Sequence, residues 1–531
     1  LTPARSSWLN NKPMAETPTP SPLLESLRRE ILQARARVYA LARPTPLERL
    51  TLGPQGPEVF LKREDLGPIH AYKWRGAYNR MATLDAGERT RGVVTASAGN
   101  HAQGVALAAR RLGVHATVFM PGTTPVTKQE AVARHGGEAV KVLLAGDSYD
   151  EAQAAARAHL EETGGVYVPA FDDIRVMAGQ GTLADELVMS GEGPFDAVYL
   201  QIGGGGMAAA VAAWLKAYYP AIEVVGVEGE EQASMAAAVA AGKPVSLDYC
   251  DVFCDGTAVR RAGENTFPLC RELVDRFITV SNREVCAAMR FFWDARRAIP
   301  EPAGALGLAG ILAEQERLRG RRVAGVICGA NMDFGQLPVV ARQAIVGGGQ
   351  QSRYLQVRIP EAKGSLLRFL DAHAGDGVNI IDFQYGKTDP AWAWYTLGLA
   401  AAAEDFANLE QSLRTGGVEY RDVSGRDDLG FRLIPFRPEL ARQPLFLMVE
   451  FHERTGSLKR LMRAVSDFAS ICYFNYAYSG ERVGRALIGF EFAGEAERER
   501  LLPTLDATQG AFRSYRVMEA AEMRRALGAG G

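Results

Sequence analysis

Lys73 stands in the run His70-Ala-Tyr-Lys-Trp-Arg-Gly-Ala-Tyr78. A lysine amine crowded by aromatic and small side chains loses contact with water. That favours its neutral form, which is nucleophilic and can add to an aldehyde carbon. Downstream, four consecutive glycines, Gly203, Gly204, Gly205 and Gly206, precede Met207. Without Cβ atoms the backbone can close on an anion, and free N–H groups at a helix start then hold a phosphate. The same residues suit a tight strand-to-helix turn. They also satisfy G-x-G-x-x-A through Ala208, with Glu228 at the end of the next strand, so a dinucleotide reading stays open on these residues alone. A third run, Thr95-Ala-Ser-Ala-Gly-Asn-His-Ala-Gln-Gly104, gathers small residues, an amide and an imidazole into one bend. Helix N–H groups emerging from such a bend suit a carboxylate, although Ser and Asn also serve simply as helix caps. A carbonyl-trapping lysine, a phosphate loop and a carboxylate cradle are together what an amino-acid enzyme using pyridoxal phosphate needs.

Each run lies beside a strand. Glu58 to Arg63 precedes the lysine, Arg91 to Ala96 leads into the Asn100 bend, and Asp196 to Ile202 leads into the glycines. Ala116 to Met120, Ile222 to Glu228 and Val323 to Cys328 are further short apolar strands, with helical stretches at His101 to Leu112, through Arg134, and from Met207. Such alternation predicts an α/β fold, a mostly parallel sheet with helices on both faces.

Around Val346-Gly-Gly-Gly-Gln-Gln351 the composition turns to glycine and polar residues, which predicts a linker over 346–353. Beyond it the chain repeats. Ile359 to Leu370 matches Phe451 to Met462, with Gly-Ser-Leu at 364 and 456, and Ile380 to Tyr385 matches Ile471 to Tyr476. Each copy reads strand, turn, helix, strand, strand. The expected layout is a loose arm over 1–22, a catalytic domain over 23–345, and two small α+β modules over 354–426 and 445–520. The modules hold no cluster of candidate catalytic groups and read as binding or regulatory modules.

Among 531 residues, 60 Lys and Arg against 62 Asp and Glu leave a net charge of −2, with no broad basic field for nucleic acid. No apolar run reaches the ~18 residues of a membrane span. Six cysteines are too few for a disulfide framework in so long a chain. Cys250 and Cys254 lack a His or second Cys pair to complete a zinc set, so no metal is expected. Leu1 to Met14 hold no apolar stretch of the secretory kind, and the expected location is cytoplasmic.

Taken in order, His-Ala-Tyr-Lys-Trp-Arg-Gly-Ala, Ser-Ala-Gly-Asn-His-Ala-Gln-Gly, Gly-Gly-Gly-Gly-Met, Glu301-Pro-Ala-Gly-Ala305 and Cys328-Gly-Ala-Asn331 resemble the serine/threonine dehydratases. These are fold-type II pyridoxal 5'-phosphate enzymes. The doubled tail resembles the paired ACT-like regulatory domains of biosynthetic threonine deaminases. The resemblance implies that Lys73 holds the cofactor covalently and later removes the Cα proton. It implies that Asn100 bonds the cofactor's 3′ oxygen, and that Gly203, Gly204, Gly205, Gly206 and Met207 hold the phosphate. Cys328 would face the pyridine nitrogen, while Ser97, Ala98, Gly99, Asn100 and His101 bind the substrate carboxylate. The implied substrate is L-threonine, with L-serine as the alternative, and the product of threonine is 2-oxobutanoate, a precursor of isoleucine. Isoleucine is implied as inhibitor, valine as its antagonist, and a homo-oligomer, a tetramer, as the assembly.

Three departures stand out. Tyr72 replaces the usual Phe before the lysine, Ala303 replaces a Ser, and Cys328 stands where threonine deaminases usually place Ser. Cys and Ser are both neutral, so elimination survives as the reaction class, whereas an Asp there would protonate the ring and favour other outcomes. The related racemases bind a divalent metal near the position of Glu228, but Ser234 here takes the place of a second acid. A non-catalytic amino-acid sensor is the reading of another class, and an intact Lys73 argues against it.

Overall fold

The computed structural model describes residues 20–146, 148–347, 351–375, 377–424, 434–452, 457–477, 483–508 and 514–519. The chain divides into two compact units, Leu1–Ala344 and Ile345–Gly531. Residues 1–19 of the expected arm lie outside the described residues. The last of that arm is not loose: Ser21 caps a helix, Pro22–Leu41, by accepting from the N–H of Leu24. Proline suits the first helical position because its missing N–H has no intrahelical partner there.

The first unit holds two sheets. One runs Leu47–Thr51, Glu58–Arg63, Arg322–Ile327, Ala197–Gln201, Glu223–Gly229, Arg276–Val280, parallel throughout except for its first strand. Alternate residues feed opposite faces, as the period of two requires. Val198 and Leu200 pack toward the helices Pro22–Leu41, Ile174–Met189 and Gly206–Tyr218. Ala197 and Tyr199 pack toward Asn282–Arg296 and Pro302–Ala313. Two of these helices are apolar all round and correspondingly enclosed, every residue from Gly206 to Leu215 and from Pro302 to Ile311 being buried. The second sheet, of four parallel strands, runs Val140–Leu144, Ala116–Met120, Val93–Ala96, Val166–Tyr167.

The second unit is one eight-stranded antiparallel sheet: Glu419–Asp422, Gln351–Pro360, Trp392–Ala401, Asn379–Gly386, Ser470–Ala477, Val483–Glu491, Leu445–His452, Ser514–Val517. Each half is strand, helix, strand, strand, helix, strand. The repeat therefore carries a second helix and a final strand in each copy, Ala403–Thr415 with Glu419–Asp422 and Glu495–Ala507 with Ser514–Val517. The halves meet through Asp382 to Gly386 paired with Tyr473 to Ala477, and they share one apolar core. Both central strands shift register at the same place in the repeat, between Ile380 and Asp382 and between Ile471 and Tyr473. Gly364 of the first Gly-Ser-Leu turn takes φ 74° at the start of Ser365–His373, and Gly456 of the second lies outside the described residues.

The linker expected over 346–353 is corrected at both ends. The helix Leu337–Gly347 runs into it, and the strand Gln351–Pro360 begins inside it. Glycine composition suggested a break, but Gly347 is helical and the strand needs only its β-partners. Residues 348–350 lie outside the described residues.

Candidate active site

Lys73 is the residue before the helix Trp74–Ala82. Its segment is held from below by the end of the strand Arg322–Ile327: Tyr72 N–H donates to Cys328 O at 3.0 Å, and Ala330 N–H to His70 O at 2.9 Å. Behind it lies a closed charge cluster. The fully buried Arg75 guanidinium bonds Glu64 at 2.8 and 2.9 Å and also Glu186, whose carboxylate in turn pairs with Lys62 at 2.6 Å. Two cations and two anions cancel, so no uncompensated charge is left in the interior. The helix start that carries Lys73 is thereby fixed by groups that do not line the cleft. Burial outweighs the nearby Cys328 and Glu301 and brings the Lys73 amine down to about 8. Its Nζ donates to Ala170 O at 3.3 Å.

The lysine lines a cleft of about 1120 Å³, together with Ser97, Ala98, Gly99, Asn100 and His101. These five residues cover the turn between the strand Val93–Ala96 and the helix Asn100–Leu112, whose first N–H groups have no helical partner. Ser97 Oγ accepts from Gly99 N–H at 3.3 Å. His101 turns inward: its Nε2 meets Val168 O at 2.9 Å, and burial pushes its pKa down to about 4. The imidazole is thus held neutral, with Nε2 committed to the fold and Nδ1 buried without a hydrogen-bond partner.

Gly203 to Gly206 join the strand Ala197–Gln201 to the helix Gly206–Tyr218. Gly205 has φ 90°, a conformation glycine alone adopts without strain. A Cβ on Gly204 would stand 2.4 Å from the Phe171 ring, and one on Gly203 would stand 3.0 Å from the backbone of Thr257. The loop is therefore a bare-backbone turn that has no room for side chains of its own. Thr266 Oγ1 fastens it by donating to Gly204 O at 2.6 Å. Gly203 to Met207 and Cys328 do not line the Lys73 cleft; Phe171, which does line it, packs on Gly204 and Gly206. The segment Ala170-Phe171 so connects the lysine with the glycines. Cys328 is buried, its Sγ 3.6 Å from Ala303 O, and burial pushes its thiol pKa up. It stays protonated and neutral at physiological pH.

Glu228, the candidate ribose acid, is spent on the fold. Its carboxylate accepts from the N–H groups of Met235 and Ala236, both at 2.9 Å, at the start of the helix Ser234–Ala241. That use removes the dinucleotide reading. No group of His, Cys, Asp and Glu suited to a metal occurs among the described residues. Glu301 and Asn331 emerge as further cleft residues: Glu301 belongs to a quoted motif without an assigned role, and it bonds Asn100 at 2.7 Å and the N–H of Asn331 at 3.0 Å.

An amine that is partly neutral, a side-chain-free anion cradle and a neutral buried thiol suit a phosphorylated aldehyde bound through its carbonyl. A family described as pyridoxal-phosphate dependent enzyme matches residues 38–329, and one described as the C-terminal regulatory domain of threonine dehydratase matches 440–521. The chain is 40% identical over 482 residues to the biosynthetic L-threonine dehydratase IlvA of Burkholderia multivorans, covering 88% of this chain and 94% of the relative. It is also 40% identical to that of Escherichia coli K12, covering 86% and 89%. The processed threonine deaminase isoform 2 of Solanum lycopersicum superposes with a TM-score of 0.58 at 38% identity, over 64% of this chain and 92% of that one. The chain belongs to the pyridoxal phosphate enzymes of this fold type and, within them, to the biosynthetic threonine dehydratase family.

Proposed function

We propose that the chain converts L-threonine to 2-oxobutanoate and ammonia, as a pyridoxal phosphate-dependent threonine ammonia-lyase under allosteric control. The observation that carries the reading is Lys73, an amine held at about 8 in the wall of a cleft it shares with a helix N-terminus. When bound, pyridoxal phosphate supplies an electron sink that acidifies the Cα–H of an attached amino acid. Lys73 would hold the cofactor and, as a neutral amine, take the Cα proton. Once protonated, it lies near the Glu301 carboxyl, which favours its cationic form. The N–H groups around Gly99 to His101 would take the substrate carboxylate. Gly203 to Met207 would hold the phosphate, and Asn100 the 3′ oxygen. Cys328, neutral because it is buried, would give the ring nitrogen a partner that does not protonate it.

The finer readings rest on the family likeness of the tail and chain: isoleucine as inhibitor, valine as its antagonist, a tetramer, and a cytoplasmic location. No helix among the described residues is long and apolar enough to cross a membrane. The test is 2-oxoacid release from L-threonine and from L-serine, each with and without isoleucine, alongside Lys73→Ala. Threonine should be turned over, isoleucine should suppress it, and Lys73→Ala should abolish both turnover and the visible absorbance of the bound cofactor. Full activity in Lys73→Ala would sink the assignment.

A further inference from the structure

Glu301 is 2% exposed, yet its carboxyl lines the cleft at the start of the helix Pro302–Ala313. Four groups are joined there in a chain whose donor and acceptor roles are forced. Ile69 O can only accept, and Asn331 Nδ2 donates to it at 2.7 Å. The second hydrogen of that same nitrogen goes to Asn100 Oδ1 at 2.8 Å. The Asn100 amide must then turn its NH2 the other way, where Glu301 Oε1 accepts at 2.7 Å. Glu301 Oε2 accepts from the N–H of Asn331 at 3.0 Å, closing the ring of contacts. The orientation of an amide is usually a matter of assignment. Here a backbone carbonyl at one end and a carboxylate at the other determine it. One hydrogen of Asn100 Nδ2 remains, on a side chain that lines the cleft.

We propose that Glu301 is a positioning residue for the cofactor: with Asn331 it locks the Asn100 amide so that its remaining N–H is offered to the 3′ oxygen of pyridoxal phosphate. The proposal rests on the reading of Asn100 as a cofactor ligand. The charge of Glu301 matters to the lock, because a carboxylate accepts both bonds, whereas a protonated carboxyl accepts them more weakly. Burial raises its pKa to about 7, with Asp255 adding to the rise and Asn100, Asn331 and Lys128 opposing it. Lys73, Tyr72, Cys254 and Cys328 are the other titratable groups whose charge it feels. The lock is thus firm above neutral pH and loosens below it.

The test is Glu301→Gln in the full-length holoenzyme. The amide keeps the shape, but it can accept from only one of its two donors and sets an NH2 against the other. The expected results are a shifted absorbance maximum of the bound cofactor and loss of the spectral change around pH 7. Retention of pyridoxal phosphate on dialysis should be about tenfold weaker. The kcat should fall while the KM for threonine stays within about twofold. Glu301→Asp, which restores the charge one methylene short, should recover part of the pH dependence. If Glu301→Gln does not fold, Asn331→Ala decides, since it frees the Asn100 oxygen and leaves the charge in place. A parental spectrum, pH dependence and cofactor retention in the variant that folds overturns the proposal. Asn100→Ala separates the two layers. If it leaves the spectrum unchanged, the ligand reading fails and the proposal with it. If it moves the spectrum while Glu301→Gln and Asn331→Ala do not, the proposal alone fails.

Discussion

Cofactor-stripped protein should recombine with pyridoxal phosphate at a rate that follows the neutral form of Lys73. An ordinary lysine, with a pKa of 10.5, is about 0.03% neutral at pH 7. Lys73 at about 8 is roughly a tenth neutral there, a gain of about 300-fold in reactive amine. The cause is burial: Nζ lies 5.2 Å from the Tyr72 ring centre and donates to the Ala170 carbonyl. Among the described residues Glu301 pulls its pKa the other way, whereas Cys328, kept a thiol by burial, carries no charge to do so. The perturbation is pH, stepped from about 6 to 10. The assay is the return of visible absorbance after mixing stripped protein with a fixed concentration of cofactor. The rate should climb about tenfold per pH unit up to roughly 8 and level off by roughly 9. A rate still rising tenfold per unit beyond pH 9 would refute the reasoning, because it would mean that desolvation leaves the amine near its ordinary value.

Three further outcomes follow from the site. Gly204→Ala places a methyl 2.4 Å from the Phe171 ring; it should cost about 1–3 kcal/mol in a thermal melt and weaken cofactor binding at equilibrium dialysis. His101 is buried with its pKa lowered from 6.5 to about 4, so between those values the unfolded chain binds more protons. Stability should therefore fall as pH drops from about 6.5 to 4, by up to about 3 kcal/mol, and His101→Gln should flatten that limb in denaturant titrations at stepped pH. Cys328→Ser should keep most threonine turnover, whereas Cys328→Asp should impair it by promoting ring protonation; an innocuous Asp in a steady-state assay would remove the electronic argument.

What the sequence made legible is what lies in short runs at strand ends. Lys73, the Ser97 to His101 turn and the glycine loop each bring their functional groups together within a few residues, so spacing alone exposes them. The rest depends on chain crossings that spacing does not encode. Asn100 meets Glu301 across 201 residues and Asn331 across 231. Arg75 looks like a motif residue until Glu186, 111 residues away, shows it to be one of the four charges of an internal ion cluster. Phe171 carries no signature, yet it packs on two of the four glycines because their missing Cβ atoms leave room for its ring. Glu228 misled in the other direction: an acid after a strand fits a ribose, but here two backbone N–H groups of the following helix use it. In the tail, Phe406, Leu409 and Leu413 are buried at helical spacing, so the second helix of the first module was readable by period.

The tail matches a regulatory domain of threonine dehydratases, and its architecture dictates how it must be tested. The two modules are halves of one sheet. Asn379–Gly386 and Ser470–Ala477 pair as neighbours, and Leu366, Phe369, Leu461 and Val465 share one core with residues of both halves. A buried pair, Lys387 with Glu491, also joins them. Cutting the chain near residue 433 would leave Asn379–Gly386 as a bare edge strand over half a core, which invites association. It would also take Glu491 from Lys387, leaving it the longer 4.0 Å contact with Glu361. Such a truncation should aggregate, and its loss of activity would say nothing about effectors. Ending the chain after Gly347 instead keeps the whole helix Leu337–Gly347 and removes the sheet intact. That protein should retain Lys73, the glycine loop and threonine turnover while losing its response to isoleucine, since an effector acts only by binding two states unequally. The measurement is rate against isoleucine concentration for the full-length and shortened chains at matched oligomeric state. Undiminished inhibition in the folded short chain would place the effector site in the catalytic unit and remove the tail as the sensor.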